Sequence, residues 1–561
     1  MYGKDTEVEG DTEMSENKVS AEKQLLEARM LEFGNGKEKY ASKEAFGDKS
    51  STLIAMSSMD VPVPPGFVLN VSVCEDYFKN SRQLPEDVPN LLKQGISFLE
   101  NVTGKIFGGS PPLMVSIRSG AAASMPGSME TLLNVGLSRD AVRSLIARTG
   151  NPSFAWDSYR RLIEGFGRVV FSQDPSLYQS LMNSAIEAAG VLEERELDYM
   201  ELRELAGNYE RLFFEESRRP FPENTYEQLE LAVKAVLDSW MGPRAMKYRE
   251  IHNIEGIRGT AVTVQAMVFG NMSMDSGAGI YFTRNPWIGE KLPVIDFRFE
   301  AQGEDVVSGS RAETSGIELK TSLPDVYKKL EEIGDKLESH FKDMQDIEFT
   351  VEEGKLYILQ SRSGKRSPLA ALRIAVALEK EGLISSFEAI KKLEGIDLNS
   401  ISVQKIRTDK LPLAKGDSAS TGVAVGRIAF SSEKAKSYAS DITKTVILVR
   451  ETPSPEDISG IHVSAGFLTA RGARTAHAAV VARQMGKVCI VNCQDLKLYP
   501  MDRKCRIGEK EFHEGDIISL DGASGEIYEG DVEVISERPV KLLEIVQAWK
   551  QEYLLNATLI P

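Results

Sequence analysis

His477 lies in "GARTAHAAVVARQMG", Gly472 to Gly486, and is one of five histidines in 561 residues. "AHAAVVARQMG" has strong helix propensity and ends on Gly486 as a C-terminal cap. Thr475 suits the N-cap. His477 is then in the first helical turn, where unpaired N–H groups and the helix dipole favour nearby negative charge. They also disfavour imidazolium, so the ring stays neutral with a lone pair for attack. Ala476, Ala478 and Ala479 leave room for a bulky group on that ring. A histidine nucleophile forming a phosphoramidate uses all of these features. The same local pattern also fits a capped helix whose histidine only hydrogen-bonds at the surface, and by itself that is the commoner meaning.

Two further clusters carry chemistry that such a nucleophile needs. Lys49 sits in "GDKSS", Arg118 in "SIRSGAAASMPGSMET" and Arg161 in "DSYRRL". A small-residue loop after a strand lets backbone N–H groups approach phosphate oxygens, and Arg118 at the strand end adds a bidentate contact. A loop salt bridge is the plainer alternative. In "DIEFTVEEGKLYILQSR", a hairpin turning at Glu352 to Gly354, Asp346 and Glu348 share one face, as do Gln360 and Arg362 on the partner strand. Glu348 and Gln360 offer oxygen ligands of the kind Mg2+ takes alongside substrate phosphates, with Arg362 steadying the phosphates. An exposed face with cross-strand charge pairs reads the same way. Glu304 and Asp305 in "AQGEDVVSG" carry the same ambiguity.

The elements around these residues predict a multi-domain α/β protein. Its length suggests about three or four domains. An acidic, disordered tail is expected over 1–35, then a mixed α/β unit over 36–365 with a helical insertion at about 137–250. "TAVTVQAMVFG" alternates like a strand, and "GAGIYFTRNP" does so again. "SPLAALRIAVALEKEGLISSFEAIKKLE" is an amphipathic helical connector and hinge over 366–414. A compact α/β unit at 415–535 carries His477 on the helix between its third and fourth strands, followed by a C-terminal helix and tail at 536–561.

Net charge of -16 argues against a general nucleic-acid grip. No apolar run approaches the roughly 20 residues that span a bilayer, and the N-terminal segment has neither a signal-peptide core nor transit-peptide bias. Four cysteines cannot form a disulfide framework in so long a chain, and Cys489 and Cys493 lack further zinc ligands. A reducing, cytoplasmic setting is expected.

Taken together, "PVPPGF", "RSGAAASMPGSMETLLNVGL", "GNPSFAWDSYRRL", "AQGEDVVSG", "DMQDIEFTVEEGKLYILQSRSGKR" and "ARTAHAAVVARQMGK" resemble the pyruvate, phosphate dikinase family in order and spacing. The resemblance runs from about Phe46 to Trp549. It implies an ATP-grasp-like nucleotide domain with a helical insertion and a swivelling phosphohistidine domain, followed in the family by a TIM barrel for pyruvate and phosphoenolpyruvate. It further implies that His477 carries the pyrophosphoryl and then the phosphoryl group. Lys49, Arg118, Asp346, Glu348, Gln360 and Arg362 match nucleotide and magnesium positions, and Arg161 matches an arginine of the phosphate-handling region. Thr475 matches a regulatory phosphorylation site of plant relatives. ATP, Mg2+ and inorganic phosphate are the implied ligands.

Departures temper this. The usual Gly-Gly-Lys is Gly47-Asp48-Lys49, the second arginine of the glycine-rich loop is Ala122, and the usual Thr-Ser-His is Thr475-Ala476-His477. The sequence ends at Pro561 where the barrel, roughly 200 residues or more, is expected to begin. The expected activity is therefore an ATP-dependent phosphotransferase acting on its own His477, with pyruvate reached through a separate barrel subunit. A homodimer is compatible with this expectation. The alternatives are a non-catalytic, regulatory paralogue that binds nucleotide or the full-length enzyme, and transfer to another acceptor.

Overall fold

The computed structural model describes residues 28–36, 41–123, 125, 129–191, 194–302, 314–441, 445–452, 454, 457–472, 474 and 477–558. They divide into two units, residues 1–268 with 357–360, and residues 269–356 with 361–561.

The first unit is built on an antiparallel sheet of β1 (Met30–Phe33), β2 (Gly66–Leu69), β3 (Val115–Gly120), β4 (Thr131–Val135) and β5 (Ala261–Ala266), in the order β1-β2-β5-β3-β4. The alternation in "TAVTVQA" predicted the strand β5, and every residue of this central strand is buried. Its polar side chains are satisfied inside: Thr263 Oγ1 lies 2.6 Å from Ser50 Oγ, and Gln265 Nε2 donates to Pro64 O at 3.0 Å. Burial costs little once a polar group is hydrogen-bonded, so the period of two is masked.

Helix α1 (Asp48–Ser58) precedes β2. Among the described residues, the α-helices between β4 and β5 are Arg139–Thr149, α2 (Pro152–Phe171), Pro175–Ala189, α3 (Tyr199–Ser217), Thr225–Ser239 and Pro243–Ile251. Their ends follow from capping. Asn151 accepts from Phe154 N ahead of α2, and Asp198 and Glu201 form a capping box on α3. Phe166, Phe171, Phe213 and Phe221 meet largely edge to face between the helices.

The second unit begins with a sheet ordered Thr314–Ser315, β7 (Val294–Phe299), β6 (Gly277–Phe282), β8 (Gln345–Glu352), β9 (Lys355–Ser363), with α4 (Pro324–Phe341) between β7 and β8 in sequence. Ala278, Ile280, Phe282 and Val294 of this sheet share a core with α5 (Pro368–Lys380), α6 (Ser386–Lys392) and α8 (Val540–Thr558). The amphipathic pattern expected of α5 is corrected here. Leu369, Ala370, Ala371, Leu372, Ile374, Ala375, Val376 and Leu378 are all buried, so α5 is a core helix covered on most sides.

Strand β10 (Val403–Arg407) pairs with the late strand β19 (Glu533–Glu537), so the chain enters and leaves the region between them along one ribbon. That region holds an eight-stranded sheet of β11 (Ala414–Lys415), β12 (Asp417–Ser420), β13 (Val423–Ala429), β14 (Val446–Arg450), β15 (Gly466–Thr469), β16 (Val488–Val491), β17 (Ile517–Asp521) and β18 (Glu526–Glu529). The order is β11-β18-β17-β13-β14-β15-β16-β12, and β13 to β16 run parallel. Helix α7 (His477–Gln484) is the crossover from β15 to β16. Ala478, Ala479 and Ala482 bury one side of it against Phe467, Cys489 and Val491. Among the described residues no helix is long and apolar enough to cross a membrane.

Candidate functional site

In the first unit, two glycines join Lys49 to Arg118. Gly47 has φ 76° and ψ 155°, a conformation that essentially only glycine adopts. A Cβ there would overlap the backbone carbonyl of Gly120, so glycine is required for α1 to start against the end of β3. Asp48 N donates to Ala121 O at 3.0 Å and closes this junction. Lys49 is the second residue of α1, and Arg118 lies two residues before Gly120. Arg118 is inside β3, flanked by Thr131 and Thr263, and not at the strand's end as its sequence suggested. The strand runs on to Gly120 because Ser119 and Gly120 still pair with Val262 and Ala261.

Arg161 projects from α2 into an acidic cluster. Its Nε donates to Asp157 and its Nη2 to Glu194, both at 2.9 Å. Neighbouring Arg160 is almost fully buried and shares the same two carboxylates. A phosphate reaching Arg161 would compete with two ion pairs already formed.

In the second unit the hairpin places three of the expected residues together. Arg362 Nε donates to Asp346 Oδ2 at 2.9 Å, and its Nη2 stands 3.6 Å from Glu348 Oε1. Gln360 is half-buried two residues before Arg362 on β9. Sheet register adds a residue that sequence reasoning missed. Asp296 on β7 and Glu348 on β8 both lie opposite Ile280, so they share a face. Burial pushes the Asp346 carboxyl above its ordinary range, against the pull of Arg362. Among the described residues, Asp346 Oδ1 and Asp296 Oδ2 are buried without a hydrogen-bond partner.

Such orphaned carboxylate oxygens fit a cation. Among the described residues no three acidic, histidine or cysteine side chains enclose one. Mg2+ binds through one or two carboxylates and completes its shell with phosphates and water, so carboxylates on this face suit it.

His477 lies in the first turn of α7, as its sequence indicates, and is the helix's first residue; Gly486 follows with φ 67° as the left-handed cap. Thr475, Glu304 and Asp305 lie outside the described residues. Arg474, three positions before His477, donates to Asp296 Oδ1 from Nη2 at 2.7 Å and from Nε at 3.0 Å. Arg483, six positions after it, donates to the Arg474 carbonyl at 2.9 Å and the Ala419 carbonyl at 3.0 Å. Both guanidiniums lie over the buried ring of Trp287, at 5.7 and 5.1 Å. The one local signal for Asp296 was a carboxylate within the apolar strand "VIDFRF". Nothing in the sequence paired it with Arg474, 178 positions away.

These features define a multi-domain α/β protein in which an ATP-grasp-like nucleotide domain is joined to a phosphohistidine-type mobile domain. Residues 80–323 and 318–382 match the family described as pyruvate phosphate dikinase, AMP/ATP-binding domain, and residues 442–525 match the PEP-utilising enzyme, mobile domain. The chain belongs to the pyruvate, phosphate dikinase family. It is 41% identical over 535 residues to the chloroplastic pyruvate, phosphate dikinase of Mesembryanthemum crystallinum, covering 93% of this chain and 56% of that protein. With the Clostridium symbiosum enzyme it shares 41% over 517 residues, covering 91% and 59%. With pyruvate, phosphate dikinase 2 of Zea mays it shares 42% over 509 residues, covering 90% and 57%. The chain thus spans little more than half the length of these curated relatives.

Proposed function

We propose that this chain performs the nucleotide half of a dikinase reaction. ATP binds with its phosphates toward Lys49, Arg118 and Arg362. The His477 imidazole attacks the β-phosphorus, the bond from that phosphorus to the α,β-bridging oxygen breaks, and AMP leaves with the oxygen. His477 then holds a pyrophosphoryl group. Inorganic phosphate attacks the outer phosphorus, pyrophosphate departs, and phosphohistidine remains. Mg2+ held by Glu348 and Gln360 would supply charge neutralisation on the phosphates. The protein's share is placement and fixed positive charge, which suit a loose phosphoryl-transfer transition state. Arg161 acts on phosphate only if Asp157 and Glu194 release it.

The observation that best supports this reading is the placement of α7. The helix that starts at His477 is held, through Arg474, on the sheet that bears Asp346, Glu348 and Arg362. After loading, the mobile domain would move on the ribbon of β10 and β19, with the hinge within 393–414, because α5 and α6 are locked in a core. Pyruvate is the proposed acceptor, through the barrel region of the family or a separate barrel subunit. The reducing, cytoplasmic setting and any homodimer belong to this proposal too.

The test uses ATP labelled at the β-phosphate. Wild type should acquire label and release AMP, and His477→Ala should do neither. Label in the variant would sink the assignment. ATP binding without AMP release by the wild type would favour the regulatory reading, which Asp48 beside Lys49 motivates.

A further inference from the structure

Arg474 and Arg483 bracket His477 in sequence and converge on one place, Asp296 and Trp287. Asp296 on β7 is only 4% exposed and Trp287, in the turn after β6, 2%, with the Arg474 and Arg483 guanidiniums in place over them. Three bonds hold the Arg474 fork there, two to Asp296 Oδ1 and one from Nη2 to Ile295 O at 3.3 Å. Arg483 braces the backbone that presents the fork, through its bond to the Arg474 carbonyl. Its second bond, to Ala419 O, ties that brace to β12 of the eight-stranded sheet.

We infer that Arg474 is a positioning residue that seats the His477 helix on the nucleotide sheet by gripping Asp296 and Trp287. The chemistry suits a reversible seat. A planar guanidinium matches a carboxylate and an aromatic face at once, which an ammonium cannot do as well. A half-desolvated ion pair gives back in Coulomb attraction about what it loses in hydration, so it fixes geometry without binding irreversibly. When the helix departs, Asp296 regains water and the charge is not stranded. Misplacement of a reacting group by about 1 Å can cost on the order of a hundredfold in rate. Only two residues separate Arg474 from His477, a link short enough to transmit that control.

The catalytic consequence rests on the phosphohistidine reading, whereas the seating does not, and two measurements separate them. In Arg474→Met, transfer of label from β-labelled ATP should slow at least tenfold, with ATP affinity within twofold of wild type. Arg474→Lys should recover part of the rate. Asp296→Asn should slow the wild type but add little to Arg474→Met. Independently of catalysis, acrylamide quenching of the Trp287 emission, obtained by subtracting a Trp287→Phe variant in each background, should rise at least twofold in Arg474→Met. Unchanged quenching overturns the seating. Unchanged label transfer overturns the positioning role, as does a parallel loss of ATP affinity, which would make Arg474 a nucleotide ligand. If the wild type takes no label, the phosphohistidine reading fails, and the quenching still decides the seating.

Discussion

Asp346 gives one carboxylate oxygen to Arg362 at 2.9 Å and, among the described residues, keeps the other buried without a hydrogen-bond partner. Arg362 thus satisfies half of a charge that burial disfavours. The open half faces a sheet surface shared with Glu348 and Asp296. A structural ion pair would close both oxygens; this one leaves an oxygen open on the sheet face that carries Glu348.

This fixes the sign of an experiment. A carboxyl whose pKa is raised on folding helps stability at pH values below its unfolded value, and that help is lost as pH rises through the folded value. Above that folded value, ionised Asp346 therefore costs stability. Asp346→Asn keeps an oxygen for Arg362 and removes the charge, so thermal unfolding at pH 7 should move up by about 2–4 °C for a gain near 1 kcal/mol. The additional stabilisation by Mg2+ with nucleotide, seen in the wild type, should shrink in the variant. Differential scanning fluorimetry with and without Mg2+ and ATP reads both effects.

Gly47→Ala should damage the junction of α1 with β3. The backbone conformation and the Gly120 carbonyl both exclude a Cβ. A loss of about 2–3 kcal/mol is expected. Gly36→Ala is the control: it also has positive φ, but a Cβ there meets no atom within 4 Å. Its cost should stay near 1 kcal/mol. Urea unfolding of both variants makes the comparison.

Arg284 is fully buried and bridges Glu338 on α4 to Glu381 at the end of α5, with bonds of 2.9 Å to Glu338 and 2.8 and 2.9 Å to Glu381. Arg284→Met leaves Glu338 buried and unpaired and should cost about 3–5 kcal/mol. Burial raises the Glu381 carboxyl, but Arg284 and Lys291 outweigh it and hold it below the ordinary range. Its contribution is complete above the unfolded value of about 4.3 and is lost as pH falls through the lower folded value. Urea midpoints taken from pH 5 down to pH 3 should fall less steeply in Glu381→Gln than in the wild type.

All four cysteines are buried and reduced. Burial pushes the Cys489 and Cys505 thiols up to about 12, and those of Cys74 and Cys493 up to about 11. Thiolate, the reacting form, is then scarce at pH 8. A thiol-disulfide reagent should find essentially no cysteine in the native protein and all four after denaturation. Rapid native reaction would show that a strand such as "KVCIVNC" opens readily.

Much of the site was legible in local sequence. The turn at Glu352 to Gly354, the shared face of Asp346 and Glu348, and the helix opening on His477 follow from short-range rules of pairing and capping. One reading of periodicity failed. α5 looked amphipathic, but it lies in a core where small residues go inside on most of its sides. Periodicity registers polarity, and polarity does not reveal whether a group has an internal partner.

The sequence by itself determined the parts: a helix that opens on His477, a lysine and an arginine each beside glycine, and a hairpin that brings Asp346, Glu348, Gln360 and Arg362 together. Each is specified by residues within about twenty positions of one another, where backbone geometry leaves few choices. Only the tertiary structure decided which parts meet. It placed Asp296 in the row of Ile280 and Glu348, committed Arg161 to Asp157 and Glu194, and joined Arg474 to Asp296 across 178 positions. Such contacts depend on sheet register and on the packing of whole elements, and no local pattern encodes a distance through space.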